Sequence, residues 1–379
     1  MAAPRSHRRD FLKGKAAARA VEHLANQAAG SFEEVLPLSE PDHYLVKYSR
    51  RAMACDFEVW LNAGQYPHGA VGAIEALDLI EALEQQLSVY RDSSEISALN
   101  RTAWTEPVQV ESRLFELLSQ AAELGRRTQG AFDITAGPLS DLWGFKRRAG
   151  RLPSATEIAE TLSRVGSQHI AFDAEPGTLR FLREGVEINL GGIGKGYALD
   201  RCSEQLVDAG VGDYLFHAGN SSVLARGNNA GRAEGGWSIG VRNPLKPEQY
   251  LGELILRDRS LSTSGSGTQY FLHEGKRYGH ILDPRTGWPA EGVLSTTVVA
   301  PTAAESEALS TAFYVLGSER TRNWCDDHSQ IGCLMLCPGE AAGQLAIHGF
   351  NLTNDVWLPR AASAHAHFDP RPPSASRGE

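Results

Sequence analysis

"VEINLGGIGKGYALDRCSEQLVDAGVGDYLFHAG" runs from Val186 to Gly219, and its reading sets the fold class. The β-rich "VEINL" predicts a strand. The close glycines predict a turn, the next stretch predicts a helix, and "DYLFHAG" predicts another strand. Whether this unit belongs to a doubly wound sheet depends on what flanks it. Upstream, "YLVKY" (Tyr44 to Tyr48) and "FEVWL" (Phe57 to Leu61) predict strands. Apolar residues spaced by three and four predict helices over Ala70 to Tyr90 and Ser112 to Gly130. Ser154 and Glu157 stand at capping-box spacing and predict a helix start. "HIAF" and "LRFL" predict two further strands. Downstream come the strand-like "SSVLARG", "WSIGVR", "ELILR" and "LSTTVVA", a helix over Ala303 to Gly317, and the strand-like "IGCLMLC". Strands and helices mix without a regular βαβ rhythm, which predicts α+β rather than doubly wound.

Bulk numbers bound the function. Of the 379 residues 42% are hydrophobic, enough for one large core or two smaller ones. Lys plus Arg total 37 against 46 for Asp plus Glu, a formal charge of -9. No basic block offers a nucleic-acid footprint, so nucleic acid is not expected as a partner. No apolar run of about 18 residues occurs, so no transmembrane span is expected. Five cysteines are too few and too scattered for a disulfide scaffold, and Cys333 and Cys337 read as buried free thiols in a core strand.

Residues 1–43 read as an N-terminal arm. Its Arg8-Arg9 pair, in "RRDFLKG", looks like a twin-arginine export signal. The apolar region such a signal needs is missing, because Lys15, Arg19, Glu22 and His23 interrupt it. Export and a cytoplasmic location both stay open. Residues 44–350 read as one domain. Residues 351–379, ending in the proline- and serine-rich "FDPRPPSASRGE", read as a partly disordered tail.

Five short stretches carry chemistry. In "NLGGIGKGYALD" (Asn189 to Asp200) the glycines let backbone approach a ligand, and a helix start presents free N–H groups that favour an anion. Lys195 adds a positive charge there. The spacing is neither a Walker A loop nor GxGxxG, so a plain glycine-rich helix start stays open beside a phosphate site. "AAESEALSTAF" places Glu307 and Thr311 four apart on one helix face. A carboxylate and a hydroxyl suit a hard ion such as Mg2+, or else a solvated face. "GHILDPRTG" (Gly279 to Gly287) is a turn that explains Asp283, Pro284 and Gly287. It does not explain Arg285 or His280, the side chain that titrates near neutral pH. "GAFDITAGPLSDLWGF" (Gly130 to Phe145) is either a core crossing or a wall for a planar ring. "LSTSGSGTQYF" (Leu261 to Phe271) reads as a small-residue loop with hydroxyls to offer.

In order, "AMACDFEVWL", "LSVYRDSSEISALN", "GAFDITAGPLSDLWGF", "INLGGIGKGYALD", "TSGSGTQYF", "HILDPRTG" and "SEALSTAFYVLG" resemble the ApbE-like family of FAD:protein FMN transferases. The resemblance implies a mixed, T-fold-like α+β domain. It implies an enzyme that uses FAD and Mg2+ and attaches FMN through its phosphate to a Thr or Ser hydroxyl of a target flavoprotein, releasing AMP. Some members hydrolyse FAD to FMN and AMP instead, and a non-catalytic FAD-binding protein is the third reading. By resemblance, Met53, Tyr90, Ala131, Phe132, Asp133, Asn189, Lys195 and Ile281 would contact FAD. The carbonyl of Gly192, with Glu307 and Thr311, would hold Mg2+, and His280 would be the base. The identity of Asn100 is linked in the family to the balance between hydrolysis and transfer. Three departures stand out: Glu307 where Asp is common, Asn189 where many relatives carry Asp, and "AGNSS" (Ala218 to Ser222) in place of a double-glycine acidic turn.

Overall fold

The computed structural model of the chain describes residues 44–360, apart from 266, 268 and 342. The Arg8-Arg9 arm and the last 19 residues, 361–379, lie outside the described residues. In chain order the elements are β1 (Leu45–Ala52), β2 (Cys55–Asn62), α1 (Gly69–Leu87), α2 (Glu95–Thr102), β3 (Val108–Gln109), α3 (Ser112–Arg127), α4 (Gly137–Leu142) and α5 (Ala155–Leu162). Then come β4 (Ile170–Asp173), β5 (Thr178–Phe181), α6 (Gly194–Asp208), β6 (Tyr214–Ala218), β7 (Ser222–Arg226), β8 (Trp237–Asn243), β9 (Lys246–Leu256) and β10 (Arg259–Gly265). The last are β11 (Tyr270–His273), β12 (Lys276–Gly279), β13 (Ser295–Ala300), α7 (Ala303–Asp326), β14 (Gly332–Pro338), β15 (Leu345–Phe350) and β16 (Trp357–Pro359).

The frame is an eight-stranded sheet in the order β1-β2-β6-β7-β10-β13-β14-β15. Every neighbouring pair in it is antiparallel, so the fold is α+β, as the irregular alternation predicts. Side chains alternate across it. Phe57, Val59, Tyr214, Phe216 and Val298 join α1, α6 and α7 in the main core. Leu215, Val223, Leu261, Val299 and Leu334 face the other way, onto a second core with Trp237, Leu254 and Trp357 of the three-stranded sheet β16-β9-β8. The long sheet is thus covered by helices on one face and by a small sheet on the other.

Local chemistry sets the helices. On α1, Gly72, Ala73, Ala76, Leu77, Ile80, Leu83 and Leu87 form a buried stripe at three- and four-residue spacing. It stops short of Tyr90 because Ser88 turns extended. The capping box at α5 forms, with Ser154 and Glu157 exchanging side-chain-to-backbone bonds. α7 breaks at Gly317, whose φ of +75° suits glycine.

Three sequence expectations change. The first half of "LSTSGSGTQYF" is no loop, since Leu261 to Gly265 belong to β10 and pair with β13. "VEINL" is not a strand. Ile188 exchanges its backbone bonds with the Asn100 amide, at 2.8 and 2.9 Å, and Asn189 N–H donates to the Ile134 carbonyl at 2.7 Å. A side-chain amide replaces the ladder there. The domain also runs past residue 350. Asn351 donates to the carbonyls of Cys325, His328 and Ile331, and β16 pairs with β9 while burying Trp357. Residues 351–360 are therefore part of the fold and not tail. Cys333 is buried in β14, Cys337 is half-buried there, and all five cysteines are free.

Candidate active site

Strand register gathers the site. Phe57 pairs with Ala218, Ala218 with Ser222, Ser222 with Ser262, and Gly265 with Ser295. The start of β2, end of β6, start of β7, end of β10 and start of β13 therefore lie side by side at one end of the sheet. A cavity of about 1070 Å³ opens there.

The helix side is built at the crossing of α6 and α7, whose first turns exchange carboxylates. Asp200 of α6 accepts the Ala303 and Ala304 N–H groups at 2.7 and 2.9 Å, completing the start of α7. Glu307 of α7 accepts Gly196 N–H at 2.7 Å, completing the start of α6. Its other oxygen forms an ion pair with Lys195. Gly196 makes the approach possible, because a Cβ there would stand 2.2 Å from the Ala303 carbonyl oxygen. Burial acts to lower the Lys195 pKa, but the charge and hydrogen bond of Glu307 outweigh it and hold it above the usual lysine value. Burial pushes the Asp200 carboxyl up to about 7, against the pull of the two N–H donors.

The glycine turn lies against Phe132, and a Cβ on Gly192 would sit 3.3 Å from that ring and 3.8 Å from Thr311 Oγ1. Asn189 closes the turn on itself by accepting Gly191 N–H at 2.9 Å. Ser264 bonds both Ser310 and Thr311, at 2.9 and 3.1 Å. The Asp133 carboxylate is spent on Thr135 and on Ser167 N–H, so it fixes its own turn. Cys55 also lines the cavity, but burial pushes its thiol up to about 11, which leaves it protonated and poorly nucleophilic.

On the opposite wall, His280 follows the β11–β12 hairpin. Its backbone N–H and its Nδ1 both donate to the Gln269 carbonyl, at 3.1 and 3.0 Å. A carbonyl only accepts, so the proton of the neutral ring sits on Nδ1 and Nε2 keeps its lone pair. Burial lowers the His280 pKa, with the Gln269 carbonyl opposing and Arg277 assisting. Gln269 is itself tied by its side chain to the Phe145 carbonyl at 2.8 Å. Trp143 Nε1–H donates to the Gly287 carbonyl at 2.8 Å, so the aromatic segment braces the turn. Arg285 forms a bidentate pair with Asp283 at 2.8 Å, which makes it the turn's own partner.

Tyr90, Ala131, Phe132, Asp133, Asn189, Gly192, Lys195, His280, Ile281, Glu307 and Thr311 all line this one cavity. Met53 does not. It occupies the β1–β2 turn with a φ of +47° and packs against the main core, while its neighbours Ala54 and Cys55 reach the wall. Asn100 is also absent from the lining, because its amide is committed to Ile188. Sequence reasoning offered the hydroxyls of "LSTSGSGTQYF" without singling out Ser264, and it did not single out Gln269. A glutamine that acts through its backbone carbonyl leaves no side-chain signal.

The ApbE family model matches residues 53–335. The chain belongs to the ApbE family. ApbE relatives include the FAD:protein FMN transferases of Klebsiella pneumoniae, 31% identical over 64% of this chain and 70% of its own length, and of Haemophilus influenzae, 32% identical over 65% and 72%. Among solved structures, the ApbE protein of Thermotoga maritima superposes with a TM-score of 0.71 at 30% identity, covering 79% of this chain and 96% of its own. The flavinyl transferase ApbE of Pseudomonas stutzeri gives 0.72 at 26%, covering 82% and 98%. The ApbE cavity here is lined by the oxygen-bearing side chains of Glu307, Thr311 and Ser264, with Gly192 beside them. Among the described residues no group of three His, Cys, Asp or Glu side chains could hold a metal. A single carboxylate with neutral oxygens fits Mg2+, which keeps waters and takes substrate phosphates as ligands. Glu307 would have to exchange Lys195 for the ion.

Among the described residues no helix is long and apolar enough to cross a membrane.

Proposed function

We propose that the chain transfers FMN from FAD to a threonine or serine hydroxyl of an acceptor flavoprotein, through a phosphoester bond, with release of AMP. The observation that carries this reading is the pairing, across one cavity, of a histidine with a free Nε2 and a lysine at a glycine-turn helix start. The first can take a proton and the second can meet a pyrophosphate.

The acceptor oxygen attacks the phosphorus on the FMN side of the pyrophosphate. The bond to the bridging oxygen breaks, AMP leaves with the electron pair, and the hydroxyl proton passes to His280 Nε2. A lowered pKa keeps His280 neutral near pH 7, in the state that accepts a proton. Lys195 supplies fixed positive charge, Phe132 and Ile281 wall the flavin side, and Gln269 holds the imidazole in its tautomer. Glu307, Thr311 and the Gly192 carbonyl would hold Mg2+, which when bound neutralises pyrophosphate charge.

The test is incubation of the purified chain with FAD, Mg2+ and an acceptor domain bearing its target threonine. Covalent flavin of FMN mass on that domain, abolished by EDTA, is the expected result. Metal-dependent AMP release without labelling would replace transfer by FAD hydrolysis. Bound FAD with no AMP would leave only a flavin-binding role.

A further inference from the structure

The cavity is larger than its helix side. It continues around the end of the sheet onto the opposite face, where Glu58, Trp60, His217, Arg242, Pro244 and Pro247 line an outer lobe. Register fixes this geometry. Glu58 pairs with His217 and Lys47 with Trp60 across neighbouring strands. These side chains therefore point away from Phe57, Val59 and Phe216, which face the helices. Arg242 closes the far wall by donating to the Pro247 carbonyl at 2.9 Å.

Two features give the lobe its chemistry. Its carboxylate is matched, because Lys47 pairs with Glu58 at 2.9 Å and lies over the Trp60 ring, 5.2 Å from its centre. It also holds an unmet hydrogen-bonding group: His217 is 6% exposed, and its Nε2 is buried without a partner. Burying such an atom unmet is costly, because it has given up its bond to water. Burial pushes the His217 pKa down to about 4, so the ring is uncharged near neutral pH. An uncharged ring nitrogen beside a neutralised ion pair suits a peptide group, which offers both N–H and C=O.

Resting on the transferase reading above, we propose that the outer lobe binds the acceptor polypeptide. An extended segment lies against Trp60, bonds one main-chain group to His217 Nε2, and leads the reacting hydroxyl around the sheet's end to His280.

The test uses the full chain with FAD, Mg2+ and a dye-labelled acceptor domain bearing its target threonine. Fluorescence anisotropy reads acceptor affinity and flavin quenching reads FAD affinity. His217→Ala removes the buried group, and Trp60→Ala probes the same lobe at a half-buried position where folding is less at stake. Both variants are expected to raise the acceptor Kd about tenfold and to leave the FAD Kd within about twofold. An unchanged acceptor Kd in Trp60→Ala overturns the proposal, as does a parallel loss of FAD affinity, which would assign the lobe to the dinucleotide. A wild type that binds the acceptor with these dependences but transfers no FMN overturns the proposed reaction and supports the lobe. A wild type that neither binds nor labels the acceptor overturns both.

Discussion

The two faces of the long sheet treat buried polar groups in opposite ways. On the helix face, Asp200 and Glu307 each meet backbone N–H groups of the other's helix, and Lys195 closes the set. On the opposite face, His217 is equally buried and its Nε2 meets nothing. The first arrangement has all its bonds made before any substrate arrives, and the Lys195 pair is the one that would open for an ion. The second gains its missing bond only when something else is present. A site can thus be finished on the side that does chemistry and unfinished on the side that chooses a partner.

The largest effect is expected where the faces meet. His280→Ala should lower FMN transfer by about 10²–10⁴-fold while FAD still binds. Single-turnover labelling together with flavin quenching measures both, and a wild-type rate would remove His280 from the reaction. Gly196→Ala should break the helix face alone, since its methyl would press on the Ala303 backbone at 2.2 Å. Overpacking of this kind costs about 1–3 kcal/mol or more, readable in urea unfolding.

A subtler contrast lies in pH. Asp200 has its folded pKa raised from 3.8 to about 7, so its contribution is full below pH 4 and is lost as pH rises to 7. His217 has its folded pKa lowered from 6.5 to about 4, so its contribution is full above 6.5 and is lost as pH falls to 4. The two slopes oppose each other over nearly the same window. Melting temperature against pH should steepen on the acid side in Asp200→Asn and reverse its slope in His217→Gln. Equal profiles in all three proteins would show that neither group titrates as described. The smallest effect is expected of Asn100→Ala, at about 1–3 kcal/mol for the backbone groups of Ile188 left unmatched. Thermal unfolding at fixed pH reads it.

Much of the helix face was legible in the sequence because its signals are local. Glycines before Lys195, the spacing of Glu307 and Thr311, and the Ser154–Glu157 cap all lie within one or two turns. Their order along the chain carried the family resemblance. What escaped depends on pairing between distant strands. Nothing local tells that Glu58 will lie beside His217, 159 positions on, or that Asn100 will replace a strand neighbour for Ile188. Met53 stands apart from the lining for a related reason: the β1–β2 turn brings Ala54 and Cys55 to the wall and packs Met53 against the core. The length of β9 and the closing strand β16 were likewise invisible, because β16 exists only by pairing with β9.

The crossed carboxylates of α6 and α7 carry one more implication. Neither helix start is complete in isolation, since each takes its cap from the other across about a hundred residues of chain. The two starts therefore complete each other only once both helices are in place. A chain that lacks residues 303–307 leaves Lys195 and the Gly196 N–H without the carboxylate that meets them.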